Sequence, residues 1–210
     1  SMLPVSEDIA FRVNLLSPLA SAFSVLFLYL IIVRLVNHWR GKIETNTDAL
    51  IAFGAGIVGS LTFAFTDSHW FNAVEAEVYA FSTFFTAIVV WLALLWSEKA
   101  DEKGNERYIL IIAYMIGLAT GLHLLNLLTI PFVALLIYFK KYKFEWTSFS
   151  ILVVVTGFVF FIIHNVIIKG MPKIADAIGV SATALLVMTI FASMVWAILN
   201  HKQLLSIVLT

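Results

Sequence analysis

Long apolar stretches constrain the fold of this chain more than any motif does. Five of them, each of roughly 20 residues, cover about residues 11–33, 48–65, 74–96, 149–168 and 180–199. A helix of about 20 apolar residues spans the ~30 Å hydrocarbon core of a bilayer. Such segments cross as helices because lipid offers no partners to backbone polar groups. The sequence therefore predicts an all-α fold, namely a polytopic α-helical integral membrane protein.

Composition excludes the other broad classes. Hydrophobic residues make up 61% of the chain, charged residues 12%, and the mean hydropathy is +0.99, which is too apolar for a soluble domain. The 13 basic and 13 acidic residues balance and form no basic stripe, so nucleic acid is not an expected partner. The lack of cysteine excludes disulfides and thiolate chemistry.

The N-terminus indicates how the chain divides. Residues 1–10 are expected to form an outer segment and residues 11–210 a transmembrane helical domain. Glu7 and Asp8 stand where a cleavable signal peptide would carry basic residues. Because Ser1 precedes Met2, we also expect the chain to be a fragment of a longer protein.

One apolar run, residues 108–138, is too long for a single crossing. As one helix it would measure about 45 Å against a core of ~30 Å, so it must bend or break. Small and polar residues interrupt it, and they are Gly117, Gly121, His123, Asn126 and Thr129. We predict a break here, with Thr129 as the N-cap of a new helix and Pro131 in its first turn.

The distribution of basic residues separates two topologies. If residues 108–138 form a hairpin of two short crossings, ten basic residues share one side, and they are Arg34, Arg40, Lys42, Lys99, Lys103, Arg107, Lys140, Lys141, Lys143 and Lys202. Arg12, Lys169 and Lys173 then lie opposite, whereas a single crossing divides the residues eight against five. The positive-inside rule favours the hairpin. We predict about seven crossings, with the N-terminus on the outer side of the membrane.

Carboxylates gather where a hydrophobic helix is expected to begin. Residues 67–80 contain Asp67, Glu75 and Glu77. Because a charge next to lipid is costly unless it faces a cavity or a partner, these three are the candidate catalytic residues. On a continuous helix Asn72, Glu75 and Tyr79 share one face, and Glu77 lies on another.

Other polar residues are expected at the same membrane face. The candidate substrate-binding residues are His123, Asn126, Arg12, Trp70, Asn72 and Tyr79. Asn14, His164, Asn165 and Lys169 fall at the same level in the predicted topology. Non-helical backbone at membrane depth needs protein or water around it, so we expect a cavity beside the break.

Structural explanations compete with each of these roles. Asp67 is equally well explained as a helix N-cap. One glutamate would be explained by an ion pair with Arg12 or His123, and His123 by a bond to a carbonyl freed at the break. Trp70 fits an interfacial aromatic belt. The closely spaced small residues are typical of tight helix packing, and they are Ala55, Gly56, Gly59, Ser60, Gly117 and Gly121.

Three segments together resemble a known family. They are Trp-Phe-x-Ala-Val-Glu-x-Glu-Val-Tyr at residues 70–79, Gly-Leu-His-Leu-Leu-Asn at 121–126 and Arg-Val-Asn-Leu-Leu-Ser-Pro at 12–18. Over residues 10–135 the chain resembles the bacterial membrane family catalogued as domain of unknown function 2723, which also contains eukaryotic transmembrane protein O-mannosyltransferases. The resemblance implies a glycosyltransferase C fold and transfer of a sugar from a polyprenyl-phosphate donor to a protein or glycan acceptor on the outer face.

The chain departs from that family at one point. Family members carry a Trp-Asp-x-Gly-Glu-Phe type motif on an outer loop ahead of this region, and this sequence lacks it. The resemblance therefore implies that the catalytic base lies in a missing part and that the fragment alone is inactive. A soluble C-terminal part is expected to be missing too.

The implied chemistry still assigns roles to residues that are present. An acceptor hydroxyl needs a carboxylate base, which Glu75 or Glu77 would support. The departing phosphate needs a cation or a donor, for which His123, Arg12 and Asn126 are candidates. Carboxylates would alternatively hold Mg²⁺ or Mn²⁺ on the phosphate; the sequence does not decide whether a metal is used.

Two other functions remain open. A transporter or flippase for a polar or lipid-linked substrate would also use broken helices and intramembrane acids, but we find no inverted repeat in the sequence. A non-catalytic membrane scaffold would use the same polar residues only for helix packing.

Overall fold

The computed structural model describes residues 7–76, 78–190, 192, 193 and 196. Its regular elements are all helical over these residues. In chain order they are α1 (Ile9–Asn14), α2 (Leu16–Arg40), α3 (Asn46–Ala64), α4 (Asp67–Val74), α5 (Val78–Glu98), α6 (Glu106–Leu122), a 3₁₀ turn (Leu124–Leu128), α7 (Thr129–Lys141), α8 (Trp146–Ile162), a π-helical turn (Ile163–Ile168) and α9 (Gly170–Ile178). A further apolar helix covers Val180–Ile190.

Five stretches of this part of the chain are long and apolar enough to cross a membrane. They are Ile9–Arg40, Asn46–Ala64, Val78–Glu98, Leu124–Lys141 and Trp146–Ile178. The prediction of an all-α polytopic membrane protein is confirmed. The total of about seven crossings stays a prediction, because α6 has 17 residues and the span predicted over residues 180–199 lies partly outside the described residues.

The chain divides into two compact units, Ser1–Thr156 and Gly157–Thr210. The first contains α1–α7 and the candidate residues around Asp67. The second contains the π-helical turn, with His164 and Asn165, and α9.

Helix α2 forms the centre of the first unit, packing against α3 on one side and α5 on the other. Small side chains on α2, such as Ser17, Ala20 and Ser24, are buried. Against α5, the Phe27 ring lies 5.3 Å from the Trp91 ring. Near its C-terminal end, α2 forms an ion pair between Arg34 and Glu98 of α5. Helices α2 and α5 therefore run in the same direction.

Small residues were predicted to allow close helix packing. This prediction is confirmed for Gly56 and Gly59 and wrong for Gly117 and Gly121. A Cβ on Gly56 would lie 2.8 Å from the Tyr29 ring and one on Gly59 would lie 2.6 Å from Ile32, so both glycines allow α3 to approach α2 closely. A Cβ on Gly117 or Gly121 would meet nothing within 4 Å among the described residues. The α6 pair therefore forms no close contact there.

Residues 108–138 break where the sequence predicts. Helix α6 ends because His123 adopts an extended conformation, with φ −152° and ψ 129°. After the 3₁₀ turn, α7 starts at Thr129. The prediction of Thr129 as N-cap is wrong: Leu128 holds that position, and the Thr129 hydroxyl donates to the Asn126 carbonyl at 2.6 Å. Pro131 does lie in the first turn, where a missing N–H breaks no helical bond.

Helices α6 and α7, on either side of the break, fold back into an antiparallel arrangement beside α5. Ile112 of α6 and Val133 of α7 pack in one core cluster with Val89 and Ala93 of α5. On a continuous helix at 1.5 Å per residue, positions 112 and 133 would be about 30 Å apart. Lys140, at the end of α7, also reaches to 3.9 Å from Asp101 in the loop before α6. The predicted fold-back at the break is therefore confirmed, and the crossing of the membrane by both arms stays a prediction.

The first unit thus has two chemically different ends. The end at which α2, α5 and α7 finish, here called the basic end, carries the ion pairs Arg34–Glu98, Arg40–Asp48 and Lys140–Asp101. The opposite end, here called the α4 end, contains α1, α4, the start of α5 and the 3₁₀ turn.

Candidate active site at the α4 end

Two residues, Phe65 and Thr66, separate α3 from α4, and Thr66 is the N-cap of α4. The Thr66 hydroxyl donates to the Phe63 carbonyl at 2.8 Å, so it makes no capping bond to α4. Asp67 is the first helical residue and is exposed. The proposed N-cap role of Asp67 is therefore wrong, although its carboxylate still meets the positive end of the helix dipole.

The helix does not continue through the glutamates. Helix α4 ends at Val74, Glu75 is extended with φ −101° and ψ 142°, and α5 starts at Val78. The prediction that Asn72, Glu75 and Tyr79 share one helical face is therefore wrong. Glu75 is half-buried in the kink between two helices. Glu77, the second predicted glutamate, lies outside the described residues.

Asn14 joins the first helices to this kink. Its side-chain amide donates to the Val74 carbonyl at 3.1 Å, which satisfies one of the carbonyls left open at the end of α4. Its Oδ1 atom and the Nε of Arg12 are buried without a hydrogen-bond partner within the described part of the chain. Both atoms are therefore candidates for bonding a ligand.

For Glu75, the ion pair that would have explained a glutamate structurally is not found among the described residues. Within the described residues, the salt bridges join Arg34 to Glu98, Arg40 to Asp48 and Lys140 to Asp101. All three lie at the basic end. Neither Asp67 nor Glu75 forms a salt bridge with Arg12 or His123 over the part of the chain that the structure describes.

The break places His123 against the start of α5. Its ring lies 5.2 Å from the Tyr79 ring, centroid to centroid. Its Nδ1 accepts from the Leu125 backbone N–H at 3.3 Å, so His123 caps the 3₁₀ turn instead of donating to a freed carbonyl. In the neutral ring the proton is then on Nε2, which is the atom that can donate to a ligand.

Asn126 fixes the break to α5. It is 1% exposed, and its amide donates to the carbonyls of Ala119 at 3.0 Å and His123 at 3.1 Å. Its Oδ1 accepts from the hydroxyls of Ser82 at 3.2 Å and Thr86 at 3.0 Å. Two donors and two acceptor sites complete the capacity of an amide. Asn126 therefore holds His123 in place and has no polar group left to bond a ligand.

His69 is a site residue that the sequence prediction missed. It is 7% exposed, and its ring lies 4.3 Å from the Phe63 ring. Burial lowers the pKa of His69, and a hydrogen bond with the Ser21 backbone opposes that effect. The signal available in the sequence was its position two residues after Asp67, but nothing there predicted that α4 turns this face towards α2.

A cleft of about 390 Å³ opens between α1, α2 and α4. Most of its wall is apolar, and the polar residues are few; among those lining it are Phe11, Asn14, Pro18, Ser21, His69, Trp70 and Val74. Ser21 is 3% exposed, and its hydroxyl has no partner within the described residues. An apolar cleft with a few unpaired polar atoms is typical of a ligand site.

Trp70 of α4 lines this cleft. Trp70 is exposed and stacks on Phe65 at 6.3 Å, and it also lines a smaller cavity of about 370 Å³ beside Asp67. Both of its predicted roles, in the interfacial belt and as a substrate platform, remain open. Asn72 is half-buried on the same helix.

The structure therefore brings some of the predicted residues together, in two parts. Tyr79, His123 and Asn126 form one part, and Asn14 joins the α4 cleft to the kink that carries Glu75. His164, Asn165 and Lys169 do not belong to the first unit, and their predicted place beside it stays a prediction. No group of three or more potential metal ligands occurs among the residues described.

A comparison with protein families matches the larger part of the chain. Residues 1–146 match the family described as Protein O-mannosyl-transferase TMEM260 N-terminal domain. The chain belongs to this family. The matching region contains α1–α7, and hence both parts of the site in this O-mannosyl-transferase domain. No curated protein and no solved structure matches the chain.

Proposed function

We propose that this O-mannosyl-transferase-type domain forms the acceptor and donor site of a membrane glycosyltransferase. The enzyme transfers a sugar, for which the family description favours mannose, from a polyprenyl-phosphate donor to a hydroxyl of a protein or glycan. We place the reaction on the outer face of the bacterial inner membrane. The observation that carries the proposal is the hairpin break, which holds His123 against Tyr79 at the start of the helix that follows Glu75.

The transfer requires one proton to move. As the acceptor oxygen bonds to the anomeric carbon, the bond from that carbon to the phosphate oxygen breaks, and the phosphate leaves with the electron pair. The hydroxyl proton passes to a carboxylate within hydrogen-bond reach. Glu75 is suited to support the base in this step because it is half-buried and forms no salt bridge within the described residues. Glu77 is the second candidate, and Asp67 helps to orient the acceptor.

The leaving phosphate gains negative charge, which His123 and Arg12 are suited to stabilise. The Nε2–H of His123 donates to the phosphate because Nδ1 is already occupied by the Leu125 N–H. Arg12 contributes its positive charge and an Nε that has no partner in the described part of the chain. Preorganised donors of this kind lower the barrier because they need no rearrangement as charge develops.

The cleft supplies recognition of the sugar and its lipid. The Ser21 hydroxyl and Asn14 Oδ1 can each bond to a sugar hydroxyl, which satisfies two atoms that are otherwise unpaired. Trp70 and Asn72 line the approach from α4, and Trp70 offers an aromatic face. The apolar wall of the cleft suits the first isoprene units of the donor. Mg²⁺ or Mn²⁺ bound by the carboxylates would assist the phosphate.

The test uses the full-length protein that contains this chain, in membranes, with radiolabelled polyprenyl-phosphate mannose. E75Q and H123Q are each expected to lower the transfer rate about 100-fold or more, as loss of acid–base or electrostatic catalysis does. The matched control is E102Q, which removes a carboxylate from an exposed position at the basic end and should keep the parent rate.

Two outcomes would contradict the proposal, and a third would remove the support that the site variants give it. Full transfer by both E75Q and H123Q would favour a scaffold whose polar residues only fix helix packing. Uptake of a lipid-linked sugar without any transfer would favour a transporter or flippase. An equal loss in E102Q would show that the loss in the site variants reflects folding.

A further inference from the structure

Two adjoining cavities lie at the basic end of the first unit, at the opposite end from the candidate active site. Their volumes are about 720 and 570 Å³, and His38 and Glu98 line both. Three basic side chains from separate elements also line them: Arg34 of α2, Lys42 of the loop after α2, and Lys140 of α7. These two cavities together are called the basic cleft below.

The charges in the basic cleft are only partly neutralised. Arg34 pairs with Glu98, and its guanidinium also lies 5.8 Å from the centre of the Trp91 ring, so its position is fixed. Lys140 lies 3.9 Å from Asp101, whose side chain is 95% exposed; a solvated pair of this kind is weak. Lys42 is exposed and forms no salt bridge within the described residues.

Three basic groups thus face two acids, and one of these acids, Asp101, points into solvent. A ligand with a phosphate group would gain from this excess of positive charge. Lysine and arginine are the usual side chains for that purpose.

The surroundings of the basic cleft indicate the rest of the ligand. Aromatic side chains stand exposed around it, including Trp39 at 81%, Phe139 and Tyr142. Exposed aromatic residues at helix ends mark the level of lipid headgroups. Below the charges the wall is apolar and includes Leu30, Val33, Leu94 and Leu136. The basic cleft therefore suits an anionic head with hydrocarbon attached.

We propose that the basic cleft binds one anionic phospholipid. Its phosphate lies between Arg34, Lys42 and Lys140, and its acyl chains lie along Leu94 and Leu136. Basic pockets between membrane helices are known to bind anionic headgroups in this way. The proposed sugar transfer does not require this lipid, so the site stands independently of that reaction.

The experiment measures lipid binding by native mass spectrometry of the full chain in a non-ionic detergent, with added phosphatidylglycerol or phosphatidylcholine. The micelle has no charged surface, so only direct contacts contribute. The double variant K42Q/K140Q is expected to bind phosphatidylglycerol roughly tenfold more weakly, because each lysine contributes severalfold to binding of an anionic lipid. Its weak binding of phosphatidylcholine should not change.

A matched control separates the site from general attraction. K99Q/K103Q removes the same charge from the same end, but neither residue lines the basic cleft, so phosphatidylglycerol should bind as to the parent. E98Q removes the acid that competes for Arg34 and is expected to tighten binding severalfold. An equal loss in both lysine pairs, or weaker binding by E98Q, would overturn the proposal.

A third arm distinguishes a lipid from a free phosphate. Inorganic phosphate at millimolar concentration lacks the acyl chains and should leave bound phosphatidylglycerol in place. Complete displacement by inorganic phosphate would show a simple anion site instead of a lipid site, and the proposal would be wrong.

Discussion

At the scale of single residues, side chains that the sequence places in one group have different roles. His123 and Asn126 both interrupt an apolar run, and both were predicted to bind substrate. The structure gives Asn126 four hydrogen bonds inside the protein, whereas His123 keeps one ring nitrogen for a ligand. Sequence spacing alone does not distinguish these roles. The Ser82 and Thr86 hydroxyls that donate to Asn126 Oδ1 come from a helix about 40 residues earlier in the chain.

His69 should make the stability of the protein depend on pH. Its folded-state pKa is lowered by burial, below the usual value of about 6.5. The neutral ring therefore favours the fold above that value, and stability is lost as the pH falls through 6.5 towards the folded-state pKa. H69F should flatten this loss between pH 7 and pH 5, measured as the melting temperature in detergent.

A matched variant controls for the removal of a histidine as such. H38Q removes an exposed imidazole at the basic end and should melt with the same pH profile as the parent. If H69F keeps the full pH dependence of the parent, the burial of His69 is not its cause.

At the scale of helices, the length of the apolar segments predicts most of the helices. It does not predict every local break within them. The spans and the hairpin follow from hydropathy, the ~30 Å core and the charge distribution. The kink at Glu75 does not follow from them, because the pattern of residues 67–80 predicts a continuous amphipathic helix. Its direction depends on Asn14, which bonds the last carbonyl of α4 from a position 60 residues away. A contact between such distant residues leaves no local pattern.

The contact between α2 and α3 should depend on Gly56. A Cβ there would lie 2.8 Å from the Tyr29 ring and from Val33, so G56A must move a stiff ring or separate the helices. We expect a loss of about 1–3 kcal/mol, typical of overpacking, measured by thermal melting in detergent. The matched variant G54A meets nothing within 4 Å among the described residues and should be neutral or gain up to ~1 kcal/mol of helix propensity. Equal melting temperatures would contradict this account of the α2–α3 contact.

At the scale of the whole molecule, the separation of charge decides what each end can do. The basic end carries Arg34, Arg40 and Lys140 in ion pairs, whereas Asp67 and Glu75 at the α4 end form no salt bridge in the described part of the chain. From the positive-inside rule we predict that the basic end faces the cytoplasm. A lipid-linked sugar would then meet the α4 end on the outer face, and an anionic phospholipid of the inner leaflet would meet the basic cleft.

The sidedness of the two ends can be measured because the chain contains no cysteine. D67C on α4 and L125C on the 3₁₀ turn replace exposed residues of the α4 end, and K103C replaces an exposed residue of the loop before α6. An impermeant maleimide should label the first two in intact cells, and K103C only after permeabilisation.

Labelling of D67C and L125C from opposite sides would contradict the hairpin. Labelling of K103C alone in intact cells would keep the hairpin but reverse the chain in the membrane. The acids would then face the cytoplasm, and the proposed transfer on the outer face would be wrong.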